Sequence, residues 1–313
     1  MQNELDSFEP VHISVMLDEV LQSFAAFSTE EELFFLDGTA GEGGHSEAIL
    51  HKFPNSQILL LDRDSQMLQR AKERLYTYQN RIYSMCNNFS DFSLDTLQVS
   101  SFARGFDAIV LDLGISTFHY DGSGRGFSYA KEEPLDMRLD GVGISAKDVI
   151  ARYPEKKLLD LFWKYGEERW SKKIAAVLVE KRKKVKIQTC KELADLVAAI
   201  IPRKFWPPKS HPATRIFQAL RIEVNRELYH IEHGLPQLFS MLKPGGIFTV
   251  ISFHSLEDRI VKNVFRDWKQ QKSASLLYKK PLAPSEEEVR QNRAARSAKL
   301  RAIRKLGLDR TPI

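Results

Sequence analysis

Three aspartates stand where carboxylates can do chemistry: Asp37, Asp62 and Asp112, each closing a short apolar run. The runs are Leu33 to Leu36, Ile58 to Leu61 and Phe106 to Leu111. Another, Ile82 to Cys86, leads into Asn87, Asn88 and Phe89. After Asp37 come Gly38, Gly41, Gly43 and Gly44, then the helical pattern Ser46 to Leu50. Strand, glycine loop and helix in succession form the unit with which α/β proteins receive nucleotide-like ligands. Asp62 follows the glycines by about 20 residues, the spacing at which a carboxylate meets ribose hydroxyls. One aspartate after a strand is an ordinary helix cap. Three beside a glycine loop, at strand ends sharing one edge of a parallel sheet, point to a ligand.

The loop narrows the choice of ligand. A dinucleotide fingerprint places glycines at relative positions one, three and six. Gly41 and Gly43 meet the first two, but the sixth position is Ser46, and no P-loop Lys-Ser/Thr pair follows. A nicotinamide dehydrogenase is disfavoured on this ground. The order Asp37, Gly41, Gly43 looks instead like the first motif of S-adenosylmethionine (AdoMet) methyltransferases.

Other polar residues fall near the same elements. His254 and Ser255 end a further apolar run, Ile247 to Phe253, and Ser255 with Asp258 reads as the cap of the next helix. Thr214, Gln218, Arg221 and Asn225 recur at helical spacing as one stripe, opposite Phe217, Leu220, Val224 and Ile231. That stripe is either a solvated face or a contact to substrate. Trp206, among prolines, either stacks on a base or packs under its loop. His12, ahead of a helical pattern over 14–27, reads as a solvent-exposed histidine.

The elements that position these residues divide the chain. Up to Gly122 the pattern alternates strands and helices. From Asp121-Gly-Ser-Gly-Arg-Gly126 onward only helical signals follow, with capping boxes at Ser145/Asp148 and Thr189/Glu192, until Pro202, Pro207 and Pro208. A long helix is then expected over 213–242, followed by a Pro244-Gly-Gly turn, the fifth strand, and last strands near 275–278 and 298–303. The fold expected is α/β: a discontinuous sheet domain, 1–123 and 213–313, with an all-helical domain, 124–212, inserted.

The 313 residues, 43% hydrophobic and 28% charged, describe an ordinary soluble globular protein. No apolar run approaches membrane-spanning length, and no Lys or Arg precedes Lys52, so a secretory signal is not expected. Two cysteines, Cys86 and Cys190, make neither a disulfide framework nor a closed zinc site, and no metal-ligand cluster stands out. The expected location is cytoplasmic. The net charge of +5 is unevenly spread. Lys172, Lys173, Lys181, Arg182, Lys183, Lys184 and Lys186 crowd one segment, and Arg290, Arg293, Arg296, Lys299, Arg301, Arg304 and Lys305 crowd another. Such blocks are footprints for a polyanion or, equally, solvated helix faces.

Taken together, the stretches closely resemble one family, the bacterial cytosine-N4 methyltransferases of small-subunit (16S) ribosomal RNA (the RsmH, or MraW, family). The resemblance rests on His12-Ile-Ser-Val-Met-Leu-Asp-Glu19, Asp37-Gly-Thr-Ala-Gly-Glu-Gly-Gly-His-Ser46, Asp62-Arg-Asp64 and Leu111-Asp-Leu-Gly-Ile-Ser116. It continues through Arg125-Gly-Phe-Ser128, Pro134-Leu-Asp-Met-Arg138, Tyr165-Gly-Glu-Glu-Arg169, His211-Pro-Ala-Thr-Arg-Ile-Phe-Gln-Ala-Leu-Arg221 and Ile251-Ser-Phe-His-Ser-Leu-Glu-Asp-Arg259. It implies a Rossmann-like AdoMet-dependent sheet domain, AdoMet as methyl donor, and N4 of a cytidine in the decoding (P-site) region as acceptor. It also implies cofactor contacts at Gly43, Gly44, His45, Asp62, Phe89 and Asp112. A further contact falls at His119, where the family usually has Gln. Asp112 is the candidate catalytic residue. Arg125, Arg215, Arg221, Asn225 and His254 are candidates for holding substrate. The partner implied is small-subunit RNA or the assembled subunit, with no DNA or membrane, and a homodimer is possible. A non-catalytic ribosome-assembly protein that kept the fold is the alternative.

Overall fold

A computed structural model describes residues 14–97 and 100–307; His12 lies outside them. The chain forms two compact units, one built from Met1–Ser116 and Leu228–Ile313, the other from Thr117–Glu227.

The first unit begins with α1 (Leu17–Ser23), β1 (Phe34–Asp37), α2 (Gly44–Lys52), β2 (Gln57–Asp62), α3 (Ser65–Arg74), β3 (Ile82–Cys86) and β4 (Phe106–Asp112). The intervening helical unit carries α4 (Thr117–Asp121), α5 (Ala146–Arg152), α6 (Glu155–Gly166), α7 (Ser171–Arg182), α8 (Cys190–Ile200) and α9 (Thr214–Asn225). The sheet unit then resumes at Leu228, within α10 (Glu227–Met241), and continues through β5 (Leu242–Ser252), α11 (Ser255–Gln270), β6 (Ala274–Leu276), α12 (Glu286–Gln291) and β7 (Lys299–Lys305).

The seven strands lie in the order β3-β2-β1-β4-β5-β7-β6. The first five are parallel, and β7 runs antiparallel to both β5 and β6. From β1 the chain steps outward to β3, then returns to place β4 on the other side of β1, so strand order reverses between β1 and β4. Ligands of open α/β sheets bind at that reversal, beyond the carboxyl ends of the strands. Successive strand side chains go to opposite faces. Phe35, Ile58, Leu60, Ala108 and Val110 fill one core. Leu36, Leu59, Leu61, Ile109 and Leu111 fill the other. Burial on both faces explains why the strands read as continuous apolar runs.

The helical unit is wider at both ends than 124–212, taking in α4 and α9. α9 packs on α5 and α6, burying Ile216, Phe217 and Leu220. The expected helix over 213–242 is two helices, since Arg226 adopts a left-handed conformation (φ 50) and ends α9. No Gly or Pro marks that break. The expected Lys-Pro-Gly-Gly turn lies within β5, where pairing with β4 slips between Phe106 and Ala108. Among the described residues no helix is long and apolar enough to cross a membrane.

Candidate active site

The glycine loop leaves β1 at Asp37. Gly41 and Gly43 hold positive φ angles (53 and 82), which residues with a Cβ adopt only at a cost. Asp37 is buried, accepting a hydrogen bond from the Ser46 hydroxyl (2.6 Å) and one from the Thr39 N–H (3.2 Å). Burial pushes its carboxyl above the usual range, against the opposing pull of Ser46 and His45. Ser46, which rules out the dinucleotide fingerprint, is therefore the donor that holds this carboxylate.

Asp62, ending β2, accepts from the Gly41 N–H (2.9 Å) and the Asp64 N–H (2.8 Å). The glycine loop is thus tied to the second strand end. Asp112, ending β4, donates its own N–H to the Thr39 hydroxyl (2.7 Å), and its carboxylate accepts from the Gly114 N–H (3.2 Å). His45, at the start of α2, places Nε2 2.9 Å from the Val15 carbonyl. A carbonyl only accepts, so Nε2 carries the proton and Nδ1 faces Asp112 Oδ2 at 3.9 Å. The Ser116 hydroxyl donates to Glu42 Oε1 (2.7 Å), a second tie between the first and fourth strand ends. Thr39, Glu42 and Ser116 join the site through these bonds, beyond the residues the sequence points to. Their signal was only that they occupy the same two loops as Asp37 and Asp112.

Phe89 follows β3, and Gly234 of α10 makes room for it: a Cβ there would lie 2.5 Å from the ring. His254, a candidate for holding substrate, also has a local role. It, not Ser255, is the N-cap of α11, in a reciprocal box with Glu257, and its Nε2 sits 3.0 Å from Glu257 Oε1. Asp258, released from capping, pairs with Arg301 of β7 at 2.7 Å. Histidine is not among the usual capping residues, so the pattern pointed one position too far along.

Five expected residues belong to the helical unit. His119 is buried, its ring 5.4 Å from Phe127. The Arg125 guanidinium donates to the Leu139 carbonyl. Arg215 is exposed and donates to the Glu167 carbonyl (3.1 Å). Arg221 grips Glu227 with two bonds (2.8 and 3.0 Å). Asn225 is buried, its amide accepting from the Leu139 N–H (2.9 Å) and donating to the carbonyls of Met137 (2.7 Å) and Arg221 (3.0 Å). The polar stripe on α9 is largely engaged within its own unit.

A reversal point between β1 and β4, a glycine loop and carboxylates closing the neighbouring strands define a Rossmann-like methyltransferase domain. The donor set fits AdoMet. Asp62 offers acceptor oxygens suited to a diol, and the Asp112 carboxylate suits a cationic sulfonium. The chain belongs to the MraW methylase family, whose profile matches residues 9–306, and it is an AdoMet-dependent methyltransferase. It is 57% identical over 301 residues to a ribosomal RNA small subunit methyltransferase H of Leptospira interrogans, covering 96% of this chain and 90% of that one. A protein of the same name from Leptospira borgpetersenii is 56% identical, with 95% of each chain covered. One from a Sulfurihydrogenibium species is 45% identical, covering 94% of this chain and 99% of that one.

Proposed function

We propose that this chain methylates N4 of a cytidine in the decoding (P-site) region of small-subunit (16S) ribosomal RNA. The names of its relatives support the RNA. The observation that carries the chemistry is the Asp112 carboxylate beside His45 at the sheet's reversal point. When bound, AdoMet supplies a methyl group already activated by its sulfonium. The protein's part is then to align the acceptor and raise the nucleophilicity of an amine whose lone pair is delocalised into the ring. Asp112 accepts an N4–H hydrogen bond and receives the proton the amine loses on methylation. Asp62 binds the ribose diol, and Gly43, Gly44, His45 and Phe89 shape the remaining wall. His119, Arg125, Arg215 and His254 stay assigned to cofactor or RNA as the resemblance implies. Arg221 and Asn225 serve the substrate indirectly, by holding α9 and the loop at Met137.

Methylation at cytosine C5 is the competing chemistry, and it needs a thiolate to add at C6. Cys190 is unsuited: it is buried, donates its thiol to the Gly126 carbonyl (3.1 Å), and burial pushes it up to about 12. The test is mass spectrometry of nucleosides from small-subunit RNA incubated with enzyme and AdoMet. N4-methylcytidine is expected. Finding 5-methylcytidine overturns the assignment, and RNA bound but never methylated by protein that binds AdoMet favours an assembly role.

A further inference from the structure

On the helical unit, aromatic rings and cations gather around the short turn Arg203–Phe205. Phe205 is 55% exposed. The ring of Trp170, just ahead of α7, lies 5.5 Å from it at 51°. Lys173 Nζ stands 5.7 Å over Trp170, Lys204 Nζ 5.1 Å over Phe205, and Arg203 Cζ 5.0 Å over Trp206. Arg169, Lys172 and Lys209 are exposed nearby in sequence, as is Glu167 among the acids. Trp206 is anchored, its Nε1 donating to the Ile201 carbonyl (2.8 Å) and its ring tilted 6.2 Å from His211. Trp206 therefore packs under its loop, and Phe205 is the ring the turn presents to solvent.

We propose that Phe205 and Trp170 form a stacking platform for an unpaired nucleobase of the RNA substrate, with Lys173, Arg203 and Lys204 pairing the phosphates on either side. A single exposed phenylalanine means little. An exposed ring beside a second ring and flanked by cations matches the chemistry of single-stranded RNA, whose bases offer π-faces and whose backbone offers charge. Duplex RNA hides those faces. The lysine ammonium groups over the rings sit on flexible stems, so each can swing to a phosphate as a base takes its place. The proposal rests on the RNA-methyltransferase reading and adds a contact to it.

The test compares wild type with Phe205→Ala, Phe205→Leu, Phe205→Tyr and Lys204→Ala. It uses binding of a single-stranded RNA oligonucleotide over a range of salt, AdoMet calorimetry, and methylation kinetics on protein-free small-subunit RNA and on assembled small subunits. Ala and Leu should each weaken oligonucleotide binding about tenfold and raise the KM for RNA by a similar factor. The kcat and AdoMet affinity should not change, and Tyr should restore binding. Lys204→Ala should reduce the salt slope, which Phe205→Ala should leave alone. Unchanged binding in Phe205→Ala, or Leu performing as well as Tyr, overturns the platform. So does a loss seen only with assembled subunits, which would make the occupant a protein. Wild type that binds AdoMet but methylates no small-subunit RNA would instead sink the functional reading, and oligonucleotide binding alone would then judge the platform.

Discussion

Asp112 and Asp62 are both strand-end carboxylates, but their surroundings separate their duties. Asp112 faces His45 and is braced by Thr39 and Gly114, so Asp112→Asn keeps the shape and removes the base. We expect kcat to fall roughly 100-fold or more, measured by methyl transfer to RNA, with AdoMet still bound. Asp62→Ala should instead weaken AdoMet binding about tenfold or more, because charged hydrogen bonds to hydroxyls are lost. Calorimetry distinguishes the two, and a fully active Asp112→Asn enzyme would remove Asp112 from the chemistry. The cysteines give a separate check. Cys86 is exposed and Cys190 buried, so iodoacetamide should label Cys86 in the folded protein and Cys190 only after unfolding. Cys86→Ser with Cys190→Ser should keep most activity, since serine at 190 still donates to the Gly126 carbonyl.

Between elements, two polar ties carry stability that no periodicity reveals. Asn225 of α9 holds the loop at Met137, whose φ of 64 is strained for a side-chain-bearing residue. Asn225→Ala leaves the half-buried Leu139 N–H and the buried Met137 carbonyl without that partner, at a cost of about 1–3 kcal/mol, read by urea unfolding. Asp258 of α11 clasps Arg301 and Lys299 of β7. Burial alone would raise its carboxyl, but Arg301 and Lys299 hold it below the usual range. A depressed folded value means the tie stabilises above the unfolded carboxylate pKa and is lost as pH falls through the folded one. Asp258→Asn should therefore cost about 2–4 kcal/mol near neutrality. The gap between the two proteins should close as the pH falls below ~4. A gap independent of pH would assign the effect to packing.

Over the molecule, the basic blocks divide by what they already touch. In the helical unit Lys181, Lys183 and Lys184 are exposed, Lys183 pairing with the exposed Glu180 (2.6 Å), whereas Arg182 donates to the carbonyls of Ile150 and Tyr153 (both 2.7 Å). In the sheet unit Arg301 and Lys299 serve Asp258, and Lys305 donates to the carbonyls of Phe239 (2.8 Å) and Leu242 (2.6 Å). Replacing Lys181, Lys183 and Lys184 by Ala should lower the salt slope of RNA binding by roughly two without loss of stability. Replacing Lys305 should lower the unfolding midpoint, because carbonyls lose their donor. An unchanged slope in the triple variant would make that cluster solvated surface.

Much of this protein was legible from short-range pattern. The boxes at Ser145 and Thr189 rest on interactions within a few residues, and the apolar runs ending in Asp37, Asp62 and Asp112, with the glycine loop after the first, are each written in one contiguous stretch. Residue type and spacing therefore encode them. What only the tertiary structure decided has partners far along the chain. Asn225 bonds to residues 86 and 88 positions away, so its stripe on α9 looked available when it was engaged. Asp258 was read as a cap because its partner on β7 lies 43 residues on. Phe205 and Trp206 are neighbours of like composition. Only packing against Ile201 and His211 turns one ring inward and leaves the other to meet a ligand.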